Sequence, residues 1–256
     1  MTLIVNFITG RIGSGKSTVA KALREMGFPV LDTDTIFMDL IRNDPITRGV
    51  LYARFGVSAT NDAGELNDAI TEKYVNDLAT YEWVWDHLAS RMIDVIQNIN
   101  GCLMAYPVSF IEVPVIYPWL RRWLSQCGIA MQPPAMMTVE HTVITGQVRE
   151  FRIAVSDDNE RFERRVSEFV KKEELYLGEY GNAVDLLFHS RAEVDRNKKI
   201  VEAYRGVIKT LDERQKTYED AIDIDPIVKY DTKTYLNDTQ DSPAEIARMI
   251  AEEVRK

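Results

Sequence analysis

The first eighteen residues constrain the fold of this chain more than any other segment. An apolar run from Leu3 to Ile8 has the composition of a buried strand, and it leads directly into the pattern G-x-x-x-x-G-K-S at Gly10 to Ser17. After Ser17, apolar residues recur at helical spacing until Gly27. A strand that passes through a glycine-rich loop into a helix is the setting in which backbone N–H groups and a helix N-terminus bind phosphate. We therefore predict a nucleoside triphosphate site here.

Each part of this phosphate-binding loop (P-loop) has a predicted task. Glycines allow the backbone to turn tightly, Lys16 reaches the β- and γ-phosphates as a catalytic cation, and the Ser17 hydroxyl is the predicted metal ligand. ATP and Mg²⁺ are therefore the expected cofactors. The predicted nucleotide-binding residues of the loop are Gly10, Arg11, Ile12, Gly13, Ser14, Gly15, Lys16, Ser17 and Thr18.

Composition narrows the class of protein. With 256 residues, 45% of them hydrophobic, the chain is long enough to bury a substantial core. Its two cysteines have neither zinc-site spacing nor the density of a disulfide scaffold, and no apolar run reaches about 18 residues. We expect a cytoplasmic protein without a membrane segment. The net charge of -9 weakens, but does not remove, a polynucleotide substrate such as DNA.

Strand and helix patterns alternate along the chain, which predicts an α/β fold. We expect a P-loop three-layer sandwich with a mostly parallel sheet, a helical acceptor region and a helical lid. Strands are predicted at residues 28–31, at 102–106 or 109–113, near 148–155 and at 234–237. The predicted divisions are a first half of the core at 1–43, an acceptor region at 44–100, a second half of the core at 101–158, a lid at 159–222, and a C-terminal strand and helix at 223–256.

Two carboxylates follow the second predicted strand, and they indicate what kind of phosphate chemistry takes place. Asp32 and Asp34 are two residues apart, so in an extended chain both would point toward one site beside the loop. Such a carboxylate can accept the proton of an acceptor hydroxyl or help to hold Mg²⁺. We assign Asp34 as the base and Asp32 as a second catalytic candidate. In the alternative interpretation, one of the two merely caps the helix that begins near Thr35.

Several segments resemble dephospho-CoA kinases. Thr9 to Ala20 followed by Gly27 to Ile36 is similar to the start of that family, and Arg54-Phe55-Gly56 is similar to part of its acceptor region. Phe110 to Tyr117 resembles a strand end of the family, and Tyr235 to Asp238 resembles a stretch near the adenine. The resemblance implies a P-loop kinase that transfers the γ-phosphoryl group of ATP to a hydroxyl. It also implies that Asp34 is the base and that Asn237 is a nucleotide-binding residue.

The chain departs from the family in the acceptor and lid regions. Asn67-Asp68 stands where the family usually has an arginine, and His87 is followed by leucine rather than proline. The stretches 119–146 and 170–214 are longer than the family needs. We interpret these departures as the same donor chemistry with a changed acceptor.

Other side chains are weaker candidates. Phosphoryl transfer needs positive charge over the transferred group, and Arg161 and Arg165, one helical turn apart, are our catalytic candidates for it. Glu112, on an apolar strand, is either near Mg²⁺ or the acceptor or held by backbone donors. Tyr81, Trp83 and Trp85 either stack on an acceptor base or, as we prefer, pack in the core.

Three interpretations of function remain open. The first is a kinase for a small nucleotide-like acceptor, such as dephospho-CoA or a deoxynucleoside monophosphate. The second is a polynucleotide kinase that acts on a modified base in DNA, such as 5-hydroxymethyluracil. The third is a nucleotide-binding module or ATPase without an acceptor.

Overall fold

The computed structural model describes residues 2–62, 64–103, 109–114, 120, 136–139, 142–175, 177, 191–224, 231–238 and 243–255. Six strands lie within these ranges: β1 (Thr2–Thr9), β2 (Val30–Asp32), β3 (Phe110–Glu112), β4 (Met136–Val139), β5 (Thr142–Ala154) and β6 (Asp231–Leu236). The same ranges contain eight helices: α1 (Lys16–Glu25), α2 (Thr33–Asn43), α3 (Pro45–Phe55), α4 (Asp68–Asn76), α5 (Leu78–Leu103), α6 (Asp158–Lys172), α7 (Arg191–Ile224) and α8 (Pro243–Val254).

The sheet confirms the predicted mostly parallel architecture. Five strands are parallel in the order β2-β3-β1-β5-β6, and β4 pairs antiparallel with the first residues of β5. In the register, Glu112 lies beside Ile8 of β1 on one side and Asp32 of β2 on the other. The carboxyl ends of the parallel strands therefore meet at one edge, which is where open α/β sheets bind ligands.

Two hydrophobic clusters cover the two faces of the sheet, as a three-layer sandwich requires. Neighbouring strand residues point to opposite faces, so Phe7 packs against α2 and α5 while Ile8 packs against α1 and α8. Both side chains are fully buried. A third, smaller cluster joins α6 to α7 around Val166 and Ile208.

Strand boundaries differ from the predictions where the local sequence is ambiguous. Of the two alternatives for the third strand, 109–113 contains β3, whereas Cys102 lies in α5. The strand expected near residue 148 begins at Thr142, because its first residues pair with β4, a long-range contact that local periodicity does not encode. Residues 104–108 and most of 119–135 and 178–190 lie outside the described residues, and the predicted divisions of the chain stay predictions.

The helical character expected for residues 44–100 is confirmed by α3, α4 and α5. Gly64 has a positive φ in the connection between α3 and α4. Among the residues described, no helix is both long and apolar enough to cross a bilayer.

Candidate active site

The P-loop has the shape that its glycines were predicted to permit. Gly13 and Gly15 adopt φ angles of +79° and +87°, in the left-handed region. A Cβ atom on Gly15 would lie 2.0 Å from the Asn237 side-chain amide, and one on Gly13 would lie 2.2 Å from the Arg161 carbonyl oxygen. Helix α1 begins at Lys16 without a side-chain cap, so its first N–H groups face the cleft above the loop, where a phosphate can accept from them.

We expect Gly15→Ala to weaken MgATP binding by about tenfold or more, since moving the loop by even a fraction of an ångström misplaces several N–H donors at once. The matched control is Gly27→Ala, because Gly27 has nearly the same φ, +88°, but nothing lies within 4 Å of its added Cβ. Titration of both variants with MgATP measures the difference. Equal affinities for the two variants would show that the contact with Asn237 does not matter for binding.

Asn237 contacts the loop itself. Its side-chain Nδ2 donates to the Ser14 carbonyl oxygen at 2.8 Å, and its backbone N–H donates to Ala154 at 2.7 Å. Because the residue is 5% exposed, this amide supports the P-loop from the end of β6. A contact of Asn237 with the adenine, as implied by the resemblance, stays a prediction.

The two aspartates occupy different positions from those expected of an extended strand. The chain has already entered α2 at Thr33, so the expectation for an extended chain, that both carboxylates share one strand face, does not apply. Asp32 is the N-cap of α2, and its carboxylate accepts from the N–H groups of Asp34 at 2.9 Å and Thr35 at 3.2 Å. Capping, the alternative interpretation, describes Asp32. Asp34, in the first helical turn, lines the cleft together with Lys16 and Arg165.

The pKa of Asp34 is raised above its ordinary value of 3.8. The main cause is loss of hydration, because protein surrounds the carboxylate except toward the cleft, through which solvent reaches it. Lys16 opposes this effect, while the neighbouring charge of Asp32 adds to it. A carboxylate with a raised pKa holds a proton more strongly than a free aspartate does, which suits a general base.

Glu112 lies directly against the loop, at the end of β3. Its Oε1 accepts from the Ser17 hydroxyl at 2.5 Å, and Lys16 Nζ is 3.9 Å away. Its Oε2 is buried without a hydrogen-bond partner and lies 3.8 Å from Arg24 Nη2. Burial raises the pKa of Glu112, and Lys16 and Ser17 lower it. The alternative that backbone donors satisfy this carboxylate does not describe what the structure shows.

Ser17 and Glu112 together fit Mg²⁺. Hydroxyl and carboxylate oxygens are ligands that Mg²⁺ prefers, and the buried Oε2, which has no hydrogen-bond partner, is a polar atom that a cation could satisfy in addition to its ion pair with Arg24. No cluster of three or more histidine, cysteine or acidic residues that could hold a metal occurs in the described ranges. Mg²⁺ in kinases is held by one or two protein groups plus the phosphates of the nucleotide, so such a cluster is not required.

The two candidate arginines of α6 have different surroundings. Arg161 is 4% exposed, donates to Asp212 at 2.6 and 2.9 Å, and donates to the Ile12 carbonyl oxygen at 2.6 Å. It therefore supports the loop rather than lining the cleft. Arg165 does line the cleft, pairs with Glu168 at 3.1 Å, and lowers the pKa of Asp34. Of the two, Arg165 is in the better position to contact a transferred phosphoryl group.

The cleft has a volume of about 680 Å³ and an aromatic side. Tyr74, Tyr81 and Trp85 line it, and Trp85 Nε1 donates to the Tyr74 hydroxyl at 2.9 Å. Tyr81 and Trp85 also belong to the hydrophobic core, as we preferred, and their stacking on an acceptor base stays a prediction. Trp83 is half-buried against the same core cluster and also packs on His87, with ring centroids 4.1 Å apart.

Three residues of the site were not found by sequence reasoning: Tyr74 and Gln215, which line the cleft, and Asp212, which contacts Arg11 of the loop. Tyr74 lies on α4, and the other two lie on α7, about 200 residues after the loop they contact. No local sequence motif identifies them, because residues of these types are common along any partly exposed helix.

Comparisons with known proteins agree with this geometry. The family model for dephospho-CoA kinase matches residues 3–118. The dephospho-CoA kinase of Halalkalibacterium halodurans is 40% identical over 60 residues, which are 23% of this chain and 30% of the relative. That of Streptococcus mutans is 43% identical over 67 residues, 26% and 33% of the two chains. That of Xanthomonas oryzae pv. oryzae is 24% identical over 169 residues, 59% and 83% of the two chains. The chain thus spans about a third of the length of the first two relatives.

Solved structures show the same fold. TT1252 from Thermus thermophilus has a TM-score of 0.52 and 18% identity, covering 100% of this chain and 98% of that one. Dephospho-CoA kinase from Campylobacter jejuni has a TM-score of 0.51 and 13% identity, with the same coverage. At such low identity these similarities establish the α/β P-loop fold and leave the acceptor open.

Proposed function

We propose, from the dephospho-CoA kinase-like character of residues 3–118, that this chain is an ATP-dependent kinase for a hydroxyl or phosphate of a small nucleotide-like acceptor. One observation supports it above the others: the P-loop with Lys16 and the carboxylate of Asp34 face the same cleft. A triphosphate on the loop and an acceptor beside Asp34 would therefore meet within it.

The proposed reaction follows from these positions. Where the acceptor group is a hydroxyl, Asp34 accepts its proton as the acceptor oxygen bonds to the γ-phosphorus, and the bond from the γ-phosphorus to the β-γ bridging oxygen breaks to release ADP. Lys16 and the N–H groups of the first turn of α1 stabilise the negative charge on the phosphate oxygens, and Arg165 is available from α6. Ser17 and Glu112 would hold Mg²⁺, which, when bound, neutralises phosphate charge.

The acceptor is proposed to be dephospho-CoA or a deoxynucleoside monophosphate. The aromatic side of the cleft supports a ligand with a base, since a tyrosine or tryptophan face can stack on one. Asn67 departs from the family, whereas His87 matches it and only the following Leu88 departs; Asn67 and His87 both have structural partners here. Asn67 caps α4 by accepting from the Ala69 N–H at 3.0 Å, and His87 Nδ1 lies 2.8 Å from the Trp83 carbonyl oxygen. They are therefore not evident acceptor ligands.

The test is transfer of labelled γ-phosphate from MgATP to a panel of acceptors. The panel contains dephospho-CoA, the four deoxynucleoside monophosphates, plain DNA and hydroxymethylated DNA. We expect label on one of the small acceptors and none on DNA, since none of the relatives described above is a polynucleotide kinase. Label found only as free phosphate with every acceptor would favour an ATPase, and label on DNA would contradict the choice of a small acceptor.

A further inference from the structure

Helix α7 contacts three parts of the molecule that phosphoryl transfer must bring together. Toward α6, Tyr204 stacks on Phe169 with ring centroids 3.8 Å apart. Toward the cleft, Val207, Ile208 and Leu211 form part of the wall. The next turn of α7, residues 212–215, contacts both the P-loop and helix α4 of the acceptor region. This helix therefore reaches the donor loop from outside the sheet.

The first contact with the loop is ionic. Asp212 is 8% exposed and accepts from two guanidinium groups, that of Arg11 in the P-loop and that of Arg161 on α6. The two arginines flank this buried carboxylate, and both also pair with the more exposed Asp158, at 3.5 Å from Arg11 and 3.1 Å from Arg161, so two carboxylates face their charges. Arg11 is thereby held against α7, at the base of the loop.

The second contact is a single hydrogen bond to the backbone of the loop. The Ile12 N–H donates to Gln215 Oε1 at 3.0 Å, and Gln215 is 7% exposed. Because a backbone N–H can only donate, the orientation of this amide is determined: Oε1 must face Ile12 and the Nε2 donor must lie on the other branch. Gln215 also lines the cleft, so the residue that bonds to the loop lies next to the space in which a ligand would bind.

We propose that Gln215 is a positioning residue of the donor site, which holds the P-loop in the shape that receives phosphate. The loop contains three glycines with positive φ, so its backbone has much conformational freedom to lose when a triphosphate binds. A neighbour that fixes Ile12 in advance removes part of that entropic cost. Asp212 assists through Arg11, and Gln215 acts on the backbone itself.

The neighbouring residue offers a matched control. Arg214 donates to the carbonyl oxygens of Tyr74 at 2.7 Å and Val75 at 2.6 Å, in the last turn of α4, and its guanidinium lies 4.9 Å from the Tyr81 ring centroid. It thus attaches the same turn of α7 to the acceptor helices, whereas Gln215 accepts a hydrogen bond from the loop. The two residues distinguish positioning of the loop from general docking of α7.

The experiment measures the dissociation constants of MgATP and of magnesium tripolyphosphate, which has no adenosine and so reports on the loop alone. Gln215→Met keeps the length of the side chain and removes the strong acceptor. Since one lost hydrogen bond corresponds to up to about tenfold in affinity, we expect both constants to rise about five- to tenfold in this variant. The thermal midpoint should stay close to that of the wild type. Arg214→Met should change both constants less than twofold.

Two results would overturn the proposal: wild-type affinity for both ligands in folded Gln215→Met, or an equal loss of affinity in Arg214→Met. Gln215→Ala, which adds no bulk, is measured as a second variant and must show the same loss. The inference rests on the proposed use of MgATP. The binding measurements need no acceptor. If no acceptor is phosphorylated, the proposed function is refuted, but the comparison of binding constants still tests the role of Gln215.

Discussion

Replacement of Asp34 by asparagine is expected to lower phosphoryl transfer by about 10²- to 10⁴-fold while MgATP still binds. Asparagine has nearly the same size and keeps one oxygen, but its amide cannot take up the proton that the acceptor hydroxyl releases. Because Asp34 lies in the cleft beside the loop and forms no part of the loop, the donor site remains intact. Single-turnover transfer together with a separate MgATP titration measures the two effects.

The pH dependence gives an independent test of the same assignment. The base must be ionised to accept a proton, and burial raises the pKa of Asp34 above 3.8. As the pH falls, kcat/KM should therefore decline through this raised pKa, at a higher pH than for a free aspartate. In Asp34→Asn this acidic limb should disappear from the residual activity. An unchanged limb would assign it to another group.

Asp32→Asn is the matched control for Asp34→Asn. Asparagine is as good an N-cap as aspartate, so helix α2 should keep its cap and the protein its stability within about 0.5 kcal/mol. If Asp32 only caps the helix, transfer should fall less than tenfold. A loss as large as that of Asp34→Asn would restore Asp32 as a catalytic residue, and full activity of Asp34→Asn would exclude Asp34 as the base.

Lys16→Met is expected to reduce kcat/KM for ATP by about 10³-fold, through both binding and turnover. The ammonium group is the cation nearest to the phosphate-binding N–H groups in the sequence motif, and fixed charges of this kind are worth about two to three orders of magnitude in rate. The substitution also affects Glu112, since Lys16 lowers the pKa of that buried carboxyl. Without the lysine, Glu112 holds its proton to higher pH and becomes a poorer ligand for Mg²⁺.

A second lysine of α1 serves as the control for this change. Lys21 also borders the cleft, but its side chain is 75% exposed and pairs only loosely with Glu25, at 4.0 Å. Lys21→Met should change kcat/KM less than threefold, because an exposed charge is screened by solvent and salt. Steady-state kinetics over a range of Mg²⁺ concentrations compares the two variants. Similar losses in both would mean that the total charge of the cleft matters rather than the position of Lys16.

The outcomes at individual residues show how far sequence reasoning reaches. The P-loop and its helix follow from residues adjacent in the chain, so strand, loop and helix were found almost to the residue. Asp34 lies beside the loop as expected, but strand alternation does not place it there, because the chain has already entered α2 at Thr33. Arg161 was expected to contact phosphate, but it is buried between Asp212 and the loop.

The amino-acid sequence by itself determined the P-loop, because this is a local structure whose glycines, lysine and serine lie within eight consecutive residues, Gly10 to Ser17. It also determined the alternation of strands and helices along the chain, which produces a parallel sheet. Only the tertiary structure decided which distant groups complete the site: Glu112 beside Ser17, Tyr74 in the cleft, and Asp212 and Gln215 against the loop. The physical reason is that each of these contacts joins segments tens to hundreds of residues apart, and sheet order and helix packing alone bring them together.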